Sequence, residues 1–167
     1  MLLFFVAALF ADSVAGLKWT APAGWTSKGN PSSMRAATYV PPPAPGDPEG
    51  GECVVYFFGS GQGGSIQANI DRWKGQFVQP DGKPAAGKVE KRTVHGLAVT
   101  VIESAGDYTG MGGPMNPGGA VQHHYRLLGA IVEGPGGNVF IKFAGPEKTV
   151  ASHQKHFEEL LSSFQKE

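Results

Sequence analysis

The chain has 167 residues, 41% of them hydrophobic and 17% charged, which suits one globular domain with a single core and is too short for two ordinary ones. Its 14 basic and 14 acidic residues cancel, and neither sign is clustered, so it lacks the electrostatic footprint that nucleic acid or an anionic membrane surface calls for. Cys53 is the only cysteine, which excludes an intramolecular disulfide.

In chain order, LLFFVAALF (residues 2–10) is an unbroken apolar run, and the residues after it place Ser13 and Ala15 at the minus-three and minus-one positions of a cut before Gly16. This reads as a secretory signal over residues 1–15, with a single globular domain over 16–167 that is secreted or periplasmic. No Lys or Arg precedes the run, a departure from the usual leader. A buried N-terminal helix is the competing reading, and the absence of an amphipathic period argues for the leader instead. The run falls short of the ~20 residues of a membrane span, and no later segment is long and apolar enough to serve as one.

LKWTAPAGWT (17–26) predicts a short strand broken at Pro22 and Gly24, with Trp19 and Trp25 as core anchors. A second strand is expected over 34–40. PPPAPGDPEGG (41–51) has little to bury and predicts an exposed connection, partly polyproline II. ECVVYFF (52–58) predicts a strand with Cys53 packed as a small hydrophobe, since no basic neighbour is identified that would activate its thiol.

The next stretch, FGSGQGGS, has the look of a phosphate-binding loop opening a helix. A Walker loop, however, needs Lys followed by Ser or Thr at the helix start, and this chain reads GGSIQ there. Gly59, Gly61 and Gly63 also miss the dinucleotide spacing. What remains is a generic anion site at Gly63, Gly64 and Ser65, from free N–H groups at a helix start. The helix itself is predicted over 65–77, because Ile66, Ile70, Trp73 and Phe77 form one apolar stripe.

Two strands follow, over 88–94 and 97–107, turning near His95 and Gly96. TGMGGPMNPGG (109–119) predicts a mobile loop. A second hairpin comes from VQHHYRLLGAIVEG and NVFIKFAG, and one amphipathic helix is predicted over 146–164. The order of elements gives an α+β class, a mostly antiparallel sheet covered by two helices.

Candidate chemistry is sparse. Met111, Met115, His123 and His124 are a soft and borderline ligand set of the type that suits copper, although adjacent strand histidines point to opposite faces unless a bulge intervenes. His153 and His156 have metal-compatible spacing, but His153 lies on the apolar stripe of its helix and reads as a packed side chain. With no G-x-S-x-G elbow and no HExxH, the chain is expected not to be an enzyme and to need no cofactor.

LKWTAPAGWT at the front, the strand-to-helix unit ending NIDRWKGQF and FIKFAGPEKTVASHQKHFEELLSSF at the end resemble the pattern of PsbP-like domains, with Pro22, Trp25, Ser163 and Phe164 the clearest matches. The resemblance covers most of the mature chain and implies an α/β/α sandwich around an antiparallel sheet. It also implies a non-enzymatic partner role, as in extrinsic photosystem subunits, relatives that bind small GTPases and bacterial envelope proteins, the last being the most similar group. Two functions are therefore expected. One is an exported accessory domain that contacts a protein or envelope component through the loops at 59–64 and 109–119. The other is a copper-type or small-ligand protein using the Met and His set.

Overall fold

A computed structural model describes residues 11–30, 32–110 and 120–167. The chain opens with β1 (Ala11–Val14), β2 (Leu17–Thr20), β3 (Thr26–Lys28), β4 (Arg35–Val40) and β5 (Glu52–Tyr56). Helix α1 (Ile66–Lys74) leads into β6 (Phe77–Val78), β7 (Lys88–Val94) and β8 (Leu97–Tyr108). After these come β9 (Gln122–Gly134), β10 (Gly137–Pro146), α2 (Glu147–Ser152), α3 (Gln154–Ser163) and β11 (Gln165–Lys166).

The main sheet runs β3-β4-β5-β10-β9-β8-β6, with β7 added against β8, and every pairing is antiparallel. The β7–β8 hairpin turns at His95 and Gly96, both at positive φ, as a two-residue turn matched to strand twist requires. On one face, Val55, Leu128, Ile141 and Phe143 bury against Val150 of α2 and Phe157, Leu160 and Leu161 of α3. On the other, Ile102, Leu127 and Ile131 bury against Ile70 and Trp73 of α1.

Among the described residues three helices, not two, cover the sheet, because the predicted terminal helix is broken at His153 (φ −104°, ψ 9°). Tertiary contacts hold that break open. The Nε2 of His153 donates to the Pro42 carbonyl at 2.9 Å, which leaves Nδ1 to accept from Trp25 Nε1 at 3.2 Å. The first helix also stops early. Gly75 caps it, and Phe77, expected to close its apolar stripe, is buried from β6 and pairs with Tyr108 instead.

Residues 1–10 of the expected leader lie outside the described residues, whereas residues 11–14 form β1. This strand pairs with β2 in a small sheet closed by β11, and the cut expected before Gly16 falls in the β1–β2 turn. Several residues that carry the family resemblance are in contact with one another. Trp19 stacks on Phe164 at 5.1 Å, Ser163 Oγ accepts from the Thr20 amide at 2.9 Å, and Trp25 packs on Phe143 at 4.9 Å. Cys53 is fully buried, and burial pushes its thiol pKa far up, so it packs as a hydrophobe.

The 41–51 connection is mostly exposed but is tied down along its length: besides the Pro42 carbonyl held by His153, the Ala44 amide donates to Thr149 Oγ1 at 2.9 Å. Asp47 accepts from both the amide (3.0 Å) and the hydroxyl (2.6 Å) of Thr149 in the first turn of α2, and Glu49 accepts from the hydroxyl of Tyr125.

Trp73 packs directly onto the sheet at Gly129, which has no side chain. A Cβ there would stand 2.7 Å from Trp73 Cζ3 and 2.8 Å from Ile102 Cγ2. Gly129→Ala is expected to cost about 1–3 kcal/mol, since neither neighbour has room to withdraw. Thermal denaturation checks this, and a parent-like melting temperature would show that α1 rides on the sheet more loosely than these distances imply.

Candidate functional site

Helix α1 is nine residues long and covers only part of its face of the sheet. Beside it, over β4, β5 and β10, a cleft of about 700 Å³ remains. Strand alternation lines it from below. Phe140, Lys142 and Ala144 of β10 point into it, as do Val54 and Tyr56 of β5, while their neighbours Ile141, Phe143, Cys53 and Val55 point into the opposite core.

The walls are aromatic. Tyr56 stacks on Phe58 (5.7 Å between centroids, 7° between planes), and Phe58 meets Phe140 at 5.5 Å. Tyr108 stacks on Tyr125 across the cleft floor (5.8 Å, 11°). Such rings offer flat apolar surface with polar tips, the usual construction of a small-molecule site. At the mouth, Glu52, the acidic residue among the lining side chains, is ion-paired with Arg35 at 2.9 Å.

The polar floor centres on Lys142. Its Nζ donates to Gln76 Oε1 at 2.6 Å and to the Tyr108 hydroxyl at 3.1 Å, and lies 5.3 Å from the centre of the Tyr108 ring. Burial, with the nearby Arg72 guanidinium adding to it, pushes the lysine pKa down to about 8. Burial also raises the phenols of Tyr56 and Tyr108, so both remain protonated and able to donate at neutral pH. The Nε2 of Gln76 is buried and has no partner among the described residues.

The residues singled out from sequence are dispersed around this site. Ser65 Oγ accepts from the Ala68 amide at 3.1 Å, and Asn69 Nδ2 donates to the carbonyls of Gly63 (2.8 Å) and Ser65 (2.9 Å). Gly64 stands beside that amide. Gly63, at φ +92°, packs so closely on the rings of Phe58 and Phe140 that a Cβ would fall 2.7 and 2.8 Å from them. The glycine cluster is thus the segment that lets the chain pass over the aromatic wall.

Met111 and Met115 lie outside the described residues. A bulge does occur at the two histidines: Gly106 pairs with Tyr125 and Tyr108 with Gln122, so Asp107 faces both His123 and His124. His123 Nδ1 sits 3.0 Å from Asp107 Oδ1, and both imidazoles are exposed. No group of three or more His, Cys, Asp or Glu side chains converges on a metal position among the described residues.

Sequence reasoning missed Lys142, Gln76, Arg72 and the tyrosines. One signal was present: Lys142 is the lone charge inside VFIKFA, a strand otherwise apolar on both faces.

No protein-family model matches the chain, and no curated protein does. Among solved structures it is similar to cyanobacterial PsbP (CyanoP) of Synechocystis, with a TM-score of 0.58 and 11% identity over 100% of this chain and 98% of that one. It is also similar to a Pseudomonas aeruginosa protein of unknown function, with a TM-score of 0.49 and 10% identity over 93% of this chain and 94% of that one. The chain has a PsbP-like fold, a mixed α+β architecture on a mostly antiparallel sheet.

Proposed function

We infer that this chain is an exported, non-enzymatic binding domain that holds a small ligand with a flat apolar body in the aromatic cleft. The observation that carries this is the cleft of about 700 Å³, walled by stacked aromatic rings and floored by a few convergent polar groups. Export to the periplasm or beyond rests on the apolar run at residues 2–10. Phe58 and Tyr108, the residues that precede the 59–64 and 109–119 segments anticipated for a macromolecular partner, both line the cleft. A concave site with a buried polar floor suits a small molecule better than a protein surface, because it can enclose most of such a ligand.

N-phenyl-1-naphthylamine, a neutral dye that brightens in apolar surroundings, tests the reading. It is expected to bind the parent protein with a blue-shifted emission, and Ala144→Phe, which places a ring in the cleft, is expected to abolish that binding while the fold persists by circular dichroism. Dye binding that is absent from the parent, or unchanged in Ala144→Phe, would overturn the cleft as the binding site.

A further inference from the structure

The floor of the cleft has more donors than acceptors. Lys142 has three N–H bonds, and two are engaged, by Gln76 Oε1 and the Tyr108 hydroxyl. Gln76 is 3% exposed, and its Nε2 donors have no partner among the described residues. Tyr108, having accepted from the lysine, still carries its own proton. A native structure leaves such buried groups unpaired only rarely, and a ligand is one of the standard reasons.

Charge points the same way. Arg72, at the edge of the cleft, donates to the neutral side chain of Asn69. No carboxylate reaches Lys142 among the described residues, since Glu52 is held by Arg35 and Glu49 by Tyr125. A neutral acceptor would satisfy the Gln76 amide but leave the ammonium without a counter-charge. An anion does both, and in a site walled by aromatic rings its attraction to the ammonium is far stronger than in water.

Resting on the cleft reading above, we propose that the ligand is a small organic carboxylate with a flat apolar body, whose carboxylate is received by Lys142 Nζ and Gln76 Nε2 while the aromatic walls take the body. Gln76 and Tyr108 contact Lys142, burial and then Arg72 lower its affinity for a proton, and Tyr56 and Tyr125 are further titratable groups lining the same cleft.

Displacement of bound N-phenyl-1-naphthylamine by two matched probes, 1-naphthylacetate and 1-naphthylacetamide, separates the charge from the body. At pH 7 the carboxylate is expected to displace the dye at a concentration at least about tenfold lower than the amide, the scale of a hydrogen bond to a charged group. In Lys142→Met the two probes are expected to become equivalent. The parent gives the same reading without a variant: the carboxylate's advantage should fall as pH rises past about 8, where the free lysine loses its proton. Equal displacement by both probes in the parent, an advantage retained in Lys142→Met, or an advantage unchanged up to pH 10 would each overturn the carboxylate proposal and leave the cleft reading standing. So would failure of both probes to displace a dye that Ala144→Phe excludes. Failure of the dye itself to enter the cleft would overturn both.

Discussion

The double variant Gln76→Leu, Lys142→Met is expected to melt higher than the parent at pH 7, by several degrees. Lys142 is pushed down to about 8 from an ordinary value of 10.5, first by burial and then by Arg72. Between those two values the folded protein binds fewer protons than the unfolded chain, so the parent's stability rises with pH across the window, and the cost of the buried ammonium is fully present below about pH 8. A displacement of that size corresponds to roughly 3 kcal/mol. Losing the bond between Lys142 and Gln76 offsets about 1 kcal/mol of this, and removing both partners together leaves no orphaned amide. For a chain of this length each kcal/mol moves the melting temperature by about 2–4 °C.

The gain should fade as pH is raised from 8 toward 10.5, because the parent then sheds the proton that the variant never carried. Calorimetry of both proteins across that range checks the magnitude and the sign. A variant less stable than the parent at pH 7 would mean that the polar floor is a structural network, not a group of residues held at a cost to stability for binding.

A chain beginning at Gly16 is expected to melt on the order of 10 °C below one beginning at Ala11. The shorter chain lacks β1 and with it Asp12, which accepts from the hydroxyl of Tyr39. Tyr39 is fully buried and accepts from Trp19 Nε1 at 2.8 Å, so its own proton would be left with no acceptor, at about 1–3 kcal/mol. The Ala15 carbonyl, which accepts from the Gly136 amide at 3.0 Å, and the packing of Val14 and Ala15 on the core would be lost as well. Asp12→Ala in the longer chain separates the hydroxyl from the strand, and should account for part of the loss. Equal melting of the two chains would show β1 to be dispensable, and a cut before Gly16 would then carry no penalty.

The stripe of Ile66, Ile70 and Trp73 was legible because a helix repeats every 3.6 residues and buries one face. The β7–β8 and β9–β10 hairpins were legible because turn residues separate two alternating runs. Strands β3, β6 and β11 were not, since elements of two or three residues carry no period and exist only where a partner strand receives them. Residues 11–14 read as the tail of a leader for a related reason: nothing in ADSV announces that Asp12 meets a phenol 27 positions away.

The sequence by itself determined the class of fold, the antiparallel hairpins and the amphipathic faces, because these follow from local periodicity and turn chemistry. It also set one anomaly, a lysine in the middle of an apolar strand. Only the tertiary structure decided what that anomaly means. Lys142 meets Gln76 across 66 residues and Tyr108 across 34, and no local pattern encodes such distances. Whether a buried lysine is neutralised by a carboxylate or left facing a cleft depends on which side chains converge around it. That convergence is set by a short α1 seated against Gly129, which leaves the sheet beside it uncovered.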